Sequence, residues 1–236
     1  MNIERIRREF PDRRIDYYAT IDSTMLAAAL CPPGTVVLAE EQTAGQGRHG
    51  HSWHSAPGSG IYCSIVLEPA PVLTLALGLA VAEAIASVTG LTCDLRWPND
   101  VMLGDRKVAG ILVQLVEGRA IAGIGINVNQ TEFPDDIAIL ATSLRIHTGS
   151  HVSTTGLLIA LLGAIPNFTH EDQENVLRLF THASSYAVGR RVTVDLPDGV
   201  IVGTTAGLDP SGFLVVRQDD GTDTLILAGG VRATGT

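Results

Sequence analysis

Lysine is almost absent from this sequence. Lysine and arginine together number 16 in 236 residues, and Lys107 is the single lysine. Arginine presents a broad planar fork, whereas lysine is a compact point charge that fits a narrow pocket between two anionic oxygens. A lone lysine therefore indicates a site where arginine does not fit, although an arginine-biased composition would also leave an isolated lysine. Lys107 is the first candidate for chemistry.

Cysteine is scarce as well. Cys31, Cys63 and Cys93 are odd in number, lie far apart and form no CxxC pair. Structural disulfides need paired cysteines and an oxidising compartment. The sequence therefore predicts three reduced thiols in a cytoplasmic protein.

The chain also lacks an excess of positive charge and a membrane-spanning segment. Its formal net charge is −9, so we expect no DNA partner and only small anionic ligands. Residues 72–91 are apolar, but they are rich in Ala and Gly, contain Glu83 and have no cationic flanks, which predicts a buried helix. Residues 1–11 lack the apolar core of a signal peptide, so we expect no membrane contact and a cytoplasmic location.

What the sequence does contain predicts an α+β fold. Hydrophobic residues make up 45% of the chain, enough for a sizeable core. Apolar periodicity predicts strands at 15–20, 35–39, 61–67, 94–97, 107–116 and 120–128, and helices at 5–10, 25–30, 74–89, 154–165 and 172–184, the last two separated by Pro166. The later strands follow one another through tight turns, which predicts a mixed or antiparallel sheet. After residue 186 the pattern changes to short β runs typical of a small barrel, so we expect two domains, 1–185 and 186–236.

A glycine-rich loop follows the second predicted strand. Gly45-x-Gly47-x-x-Gly50 matches the dinucleotide-binding fingerprint in letters, but that fingerprint requires a helix to begin at the glycines, and residues 51–60 are rich in Gly, Ser and Pro. A P-loop reading fails for the same reason and also lacks the lysine. The remaining interpretation is a cationic loop that closes over a phosphorylated ligand with its N–H groups and Arg48, or a solvated loop without a ligand.

Two further segments contain polar groups beside glycines. Arg96-Trp97-Pro98-Asn99-Asp100 precedes Arg106-Lys107-x-x-Gly110-Ile111-Leu112, and Gly123-x-Gly125-x-Asn127 lies on the next predicted strand. Glycine on a strand allows close approach of a ligand or close packing of another backbone. Composition alone leaves both possibilities open.

In their order and spacing, these motifs resemble those of the biotin protein ligases, which attach biotin to the carrier domain of biotin-dependent carboxylases. Asp22-Ser23-Thr24, Glu41-Gln42-Thr43-Ala44-Gly45-x-Gly47-Arg48 and the segments above carry the resemblance, which covers essentially the whole chain. It implies a class II synthetase-like catalytic domain with a mixed sheet, followed by an SH3-like β barrel. Because the Ser-Thr pair begins at residue 23, we expect a short form without the N-terminal DNA-binding domain that some members have, and no repressor activity.

The resemblance also implies the site. The biotin-binding residues would be Ser23, Thr24, Met25, Gln42, Gln46, Gly47, Arg48, Lys107, Gly110, Gly123 and Gly125. The ATP-binding residues would be Arg48, His49, Gly50, Trp53, Asn99, Asp100, Lys107 and Asn127. Lys107 and Arg48 would be the catalytic residues, and Mg²⁺ would arrive with ATP. His49-x-His51-x-x-His54 has the look of a metal cluster, but it lacks a fixed scaffold and a fourth ligand, so we expect no metal held by protein alone.

The implied activity is ATP-dependent conversion of biotin to biotinyl-5'-AMP and transfer of biotin to a lysine of a biotin carboxyl carrier protein, a subunit of acetyl-CoA carboxylase. The alternatives are a lipoate-type ligase and a non-catalytic sensor of biotin or its adenylate. Gln46 and His51 stand where the family commonly has Arg, and Met25 where it commonly has Asn, which predicts weaker retention of the adenylate. Family members often pair through the large sheet, so a homodimer is a further expectation.

Overall fold

The computed structural model describes residues 1–196, 199–227 and 229–233. The first part of the chain contains seven strands, β1 Ile15–Ile21, β2 Val36–Gln42, β3 Gly60–Leu67, β4 Asp94–Arg96, β5 Asp100–Leu103, β6 Arg106–Val116 and β7 Arg119–Asn127. It also contains six helices, α1 Ile3–Glu9, α2 Thr24–Ala29, α3 Leu73–Thr89, α4 Leu144–Thr148, α5 Thr154–Thr169 and α6 Gln173–His182.

The seven strands form one mixed sheet, which confirms the predicted fold class. Its order is β1-β2-β3-β7-β6-β5-β4, with β1 and β2 parallel and the other neighbours antiparallel. Glu117 and Gly118 join β6 to β7 with φ angles of 49° and 77°. Two consecutive positive φ angles match the twist of hairpin strands. The resulting register pairs Gly110 with Gly125.

The two faces of the sheet are covered unequally. Helices α3 and α5 pack against each other and against the sheet, α3 at β6 and α5 at β3. The short α2 covers the opposite face, where Met25 and Ala28 pack with Val37, Val66 and Ile121. The predicted buried helix is therefore confirmed as α3. No helix in the described ranges is both long enough and apolar enough to cross a membrane.

Three details of the predicted elements were wrong. Pro166 does not end a helix but lies inside α5. The helical hydrogen bonds continue after it, since the His170 N–H donates to the Pro166 carbonyl. Proline removes one helical hydrogen bond, and the buried leucines of α5 stabilise the helix through packing instead. Strand β5 and helix α4 were not predicted, because segments of four and five residues are too short to show a period.

The rest of the chain forms a second, antiparallel sheet. Its strands are β8 Val188–Leu196, β9 Gly199–Leu208, β10 Leu214–Gln218, β11 Asp223–Ile226 and β12 Gly230–Ala233, in the order β11-β10-β9-β8-β12. Short strands joined by tight turns were predicted here. Among the described residues the edge strands β11 and β12 do not pair, so hydrogen bonds do not close a barrel.

The two sheets are joined at the end of β4. The indole N–H of Trp97 donates to the Gly212 carbonyl at 2.9 Å. The Asp94 carboxylate accepts hydrogen bonds from the N–H and the hydroxyl of Ser185, both at 2.7 Å. These contacts hold the second sheet against the strand that leads into Trp97-Pro98-Asn99-Asp100.

Candidate active site

Two cavities open on the hairpin of β6 and β7. The first lies between the hairpin, the start of α2 and the glycine-rich loop. It is lined by Thr24, Met25, Gln42, Gln46, Gly47, Arg48, Trp53, Cys63, Asn99, Lys107, Gly110, Ile111, Leu112, Gly123, Ile124 and Gly125. Most of the residues predicted to bind biotin are therefore brought together.

The second cavity is larger. It is lined by Gly47, Arg48, His51, Ser52, Trp53, His54, Arg96, Trp97, Pro98, Asn99, Asp100, Lys107, Asn127, Phe133, Ile137, Leu140, Ala141, Gly229 and Val231. Six residues predicted to bind ATP are among them. Arg96, residues 133–141 and the contribution of the second sheet were not predicted.

The two cavities meet at five shared residues, which are Gly47, Arg48, Trp53, Asn99 and Lys107. Both predicted catalytic residues are in this group. Ligands in the two cavities would therefore face each other at the side chains of Lys107 and Arg48.

The polar end of the first cavity is a hydrogen-bonded chain centred on Gln42. The N–H and hydroxyl of Thr24 donate to Gln42 Oε1 at 2.8 and 3.0 Å, and Gln42 Nε2 donates to Ser55 Oγ at 2.9 Å. The Ser55 hydroxyl donates to the Trp53 carbonyl at 3.3 Å, and Ser64 Oγ lies 2.8 Å from Thr24 Oγ1. Because a backbone N–H only donates, the amide oxygen must face Thr24, which leaves a Gln42 N–H free to face a ligand.

Ser23 lies just below this end and is fully buried. It caps α2 without a side-chain hydrogen bond, and within the described chain its Oγ has no partner. Buried hydroxyls normally have partners, so this one is available to an incoming polar group. Ser23 is not itself part of the lining of either cavity, unlike Thr24.

Glycines make the floor of the first cavity. An added Cβ at Gly125 would lie 2.3 Å from Trp53 Cε2, and one at Gly110 would lie 2.9 Å from Trp53 Cζ3. An added Cβ at Gly123 would lie 2.7 Å from Met25 Sδ. The indole and the thioether thus rest directly on the strand backbone, as only glycine permits.

Cys63 is a lining residue that the sequence did not indicate. It lies on β3 opposite Ile124, and burial raises the pKa of its thiol to about 12. The three cysteines are all free, in agreement with the prediction of reduced thiols.

The junction between the cavities is electrostatically paired. Lys107 Nζ lies 2.5 Å from Asp100 Oδ1, and Arg48 Nη1 donates to Asn99 Oδ1 at 3.1 Å. Burial lowers the pKa of Arg48 from its ordinary value, and the negative charge of Asp100 opposes that shift. Lys107 and Asp100 therefore neutralise each other until an anion arrives, whereas the neutral Asn99 leaves the charge of Arg48 uncancelled.

The backbone of Lys107 is also fixed. Its N–H donates to the Leu140 carbonyl at 2.8 Å, and its carbonyl accepts the Thr142 N–H at 2.9 Å. Residues 137–142 thus clamp the lysine from outside the sheet. Nothing in the sequence of this segment indicated that contact.

No α-helix begins at the glycines of the glycine-rich loop, as expected for a loop that is not a dinucleotide-binding fingerprint. It contains one 3-10 turn, Arg48–Gly50, and no α-helix. The Gly47 N–H donates to the His51 carbonyl, and the Trp53 N–H donates to the Gly45 carbonyl, at 2.7 and 2.8 Å. The loop folds back on itself and carries Arg48 and Trp53 to the junction.

One residue predicted to bind ATP is not brought to the second cavity. Gly50 is exposed, has a φ of +78° and does not line it. The side chain of His49 lies outside the described part of the protein. In that described part, no three His, Cys, Asp or Glu side chains are grouped so as to hold a metal ion.

Comparison with known proteins identifies the class of enzyme to which this site corresponds. Residues 13–131 match the Biotin/lipoate A/B protein ligase family, and the chain belongs to that family. Residues 187–231 match the Biotin protein ligase C terminal domain, which identifies the biotin branch.

Individual biotin ligases are similar over nearly the whole chain. The biotin--[acetyl-CoA-carboxylase] ligase of Mycobacterium tuberculosis is 32% identical over 92% of this chain and 88% of its own length. The bifunctional ligase/repressor BirA of Bacillus spizizenii is 32% identical over 92% of this chain and 73% of its own. The structure of the Aquifex aeolicus biotin protein ligase in complex with biotin and ATP aligns with a TM-score of 0.85 and 32% identity, over 94% of this chain and 99% of that one.

Proposed function

We propose that the protein is a biotin--[acetyl-CoA-carboxylase] ligase, which uses ATP to convert biotin to biotinyl-5'-AMP and then transfers biotin to a carrier-protein lysine. One observation carries the proposal: a small cavity with a single polar end opens into a larger cationic cavity through Lys107 and Arg48. An acid in the first cavity and a nucleotide in the second would meet at these two cations.

Biotin fits the first cavity by its chemistry. Its ureido group has one strong acceptor and two N–H donors, and the polar end offers the free Gln42 N–H together with the hydroxyl of Thr24. The Trp53 indole, which lies on the glycine strands, gives an apolar wall for the ring and the alkyl chain. The carboxylate would then point to the junction.

Adenylation of biotin must overcome the repulsion between two negatively charged reactants. The biotin carboxylate and the ATP phosphates repel each other, so attack at the α-phosphorus needs cations that hold the two groups in line. Lys107 would leave Asp100 and contact the carboxylate and the α-phosphate, while Arg48 and the loop cover the product. A closed loop keeps the mixed anhydride from water until the carrier lysine attacks the acyl carbon and releases AMP.

The second cavity suits ATP with its metal. Mg²⁺ bound to the triphosphate neutralises phosphate charge. The Asp100 carboxylate and the Asn127 amide oxygen lie in this wall, and either oxygen could serve as a ligand to a Mg²⁺ ion that is held mainly by the phosphates. Phe133, Ile137 and Leu140 provide an apolar wall for the base.

A biotin carboxyl carrier protein is the proposed acceptor. A cytoplasmic location and pairing of two copies of the chain stay predictions, and sedimentation of the purified protein would test the pairing. The effect of Gln46, His51 and Met25 on adenylate retention also stays a prediction, which the release rate in a Gln46→Arg variant would test.

The test is incubation with ATP, a carrier domain and either radiolabelled biotin or radiolabelled lipoate. We expect labelled biotinyl-5'-AMP and labelled carrier with biotin alone. Labelling with lipoate in place of biotin would identify a lipoate-type ligase. Binding of biotin with neither adenylate nor labelled carrier would identify a sensor.

A further inference from the structure

Arg96 lines the second cavity but not the first. In this respect it differs from Lys107 and Arg48, which line both. It is the last residue of β4 and precedes the Trp97-Pro98 segment that turns into the site. A cation in this position can reach a nucleotide, but it lies away from the point where the acid and the nucleotide meet.

The charge of Arg96 is not matched by a carboxylate of any residue that the structure describes. Within the described ranges Arg96 forms no ion pair, whereas Asp100 is already paired with Lys107 at 2.5 Å. The guanidinium carbon of Arg96 lies 4.1 Å from the centroid of the Tyr186 ring. Its Nε is buried and, in the same ranges, has no hydrogen-bond partner. Stacking on an aromatic face holds a guanidinium while leaving its edge N–H groups able to bind an anion.

The second cavity as a whole is cationic although the protein is acidic. Arg48, Arg96 and Lys107 carry permanent positive charge, and Asp100 is the one carboxylate among the described lining residues. The chain has a net charge of −9, so this local excess is specific to the cavity. A wall of this kind raises the local concentration of polyanions such as triphosphates.

We infer that Arg96 binds the β- and γ-phosphates of ATP and stabilises pyrophosphate as it leaves. The inference rests on the proposed function. Lys107 and Arg48, at the junction, are placed for the α-phosphate, and the apolar wall of Phe133, Ile137 and Leu140 suits the base. The distal phosphates are the part of ATP that remains for a cation found in the second cavity only.

The contact between Arg96 and the distal phosphates would act in the adenylation step only. A biotin carboxylate oxygen forms a bond to the α-phosphorus, and the bond from that phosphorus to the α,β-bridging oxygen breaks. The electron pair of the broken bond leaves on pyrophosphate, so negative charge grows where Arg96 would lie. Transfer of biotin from the adenylate to lysine involves no pyrophosphate, and Arg96 has no part in it.

The test uses Arg96→Met with Arg190→Met as its matched control. Arg190 stacks on the same ring, with its guanidinium carbon 5.1 Å from the centroid, but it is exposed and does not line the cavity. In Arg96→Met we expect the KM for ATP to rise about tenfold or more and biotin-dependent pyrophosphate release to slow. Transfer from presynthesised biotinyl-5'-AMP to the carrier should keep its wild-type rate. Arg190→Met should match wild type in both half-reactions.

Two results would overturn the inference. One is an unchanged KM for ATP in Arg96→Met, and the other is an equal slowing of adenylation and of transfer, which would indicate a general structural role. Arg96→Lys keeps the charge, so its KM for ATP should lie between those of wild type and Arg96→Met. This variant replaces Arg96→Met in the test if the methionine variant does not fold.

Calorimetry with pyrophosphate alone separates this inference from the proposed function. Wild type should bind pyrophosphate more tightly than Arg96→Met, whatever acid the enzyme activates. If wild type forms no biotinyl-5'-AMP but the pyrophosphate affinities differ, the proposed function fails and the Arg96 site stands. If the affinities are equal, the Arg96 site fails.

Discussion

Lys107 is held in place by its side chain and by its backbone. Asp100 pairs with the ammonium, and residues 137–142 clamp the peptide groups. The sequence indicated this residue because it is the single lysine and lies in a recognisable motif. It could not indicate Ser55 or Ser64, because their roles depend on which strand or loop lies beside them and not on neighbouring residues. Arg96 stood in a motif that was recognised in the sequence, but no binding role was predicted for it.

Lys107→Arg should lose most adenylation. The planar guanidinium needs more space than the ammonium, and the gap between Asp100 and the glycine strand is too narrow for it. The biotin carboxylate and the α-phosphate would therefore lose their shared contact. We expect pyrophosphate release to fall by about 100-fold, with little change in thermal stability. Near-normal release would remove Lys107 from the catalytic role.

Ser55→Ala should weaken biotin binding without slowing chemistry. The change removes the acceptor for Gln42 Nε2, so the amide is free to turn away from the ligand. One neutral hydrogen bond corresponds to about a tenfold rise in the KM for biotin, while kcat and the KM for ATP stay near wild type. A fall in kcat at unchanged KM would contradict this positioning role.

Cys63 should make stability fall at alkaline pH. Its pKa is raised from an ordinary 9.0 to about 12, so the unfolded chain loses this proton before the folded protein does. The free energy of unfolding should therefore decrease as pH rises from about 9 to about 12. Urea denaturation across that range should show a shallower decrease in Cys63→Ala, and identical slopes would refute the assignment.

At the scale of elements, the β6–β7 hairpin positions most of the site. Its register places Gly110 beside Gly125 and brings Lys107 to the end where both cavities meet. The hairpin was predictable, because two long apolar runs flank a tight turn. The partners of its glycines, Trp53 and Met25, were not, because they arrive from a loop and from the opposite face of the sheet.

Gly125→Ala should displace Trp53 and weaken biotin binding by roughly tenfold or more, because the new methyl group would lie 2.3 Å from the indole. Gly163→Ala is the control. Gly163 lies on the exposed side of α5 with nothing within 4 Å of an added Cβ, so that variant should gain about 0.5–1 kcal/mol and keep its activity. Calorimetric biotin titrations and urea denaturation measure both effects, and unchanged affinity in Gly125→Ala would contradict the proposed floor.

At the scale of the whole molecule, the second sheet completes the second cavity. Gly229 and Val231 line it, and the Gly212 carbonyl accepts the Trp97 indole N–H. The sequence predicted that a small β unit follows residue 186, because strand and turn signals are local. Its contact with the site was not predictable, since docking depends on surfaces separated by more than 100 residues along the chain.

Gly212→Ala should loosen this docking. Gly212 has a φ of +84°, and an added Cβ would lie 2.6 Å from Val72 Cγ1. Gly221→Ala is matched to it, with a φ of +86° in the same sheet but no atom within 4 Å. We expect Gly212→Ala to be less stable than Gly221→Ala by about 1–3 kcal/mol in urea denaturation, and to raise the KM for ATP but not for biotin. Equal behaviour of the two variants would show that the docking does not shape the cavity.

Lys107 is the residue at which we expect biotin and ATP to meet. A crystal structure with biotin and a non-hydrolysable ATP analogue tests it most directly. We expect biotin in the first cavity against the Trp53 indole, the triphosphate in the second cavity, and Lys107 Nζ within hydrogen-bonding distance of both the biotin carboxylate and the α-phosphate. A structure in which both ligands are bound while Lys107 remains paired only with Asp100 would contradict it.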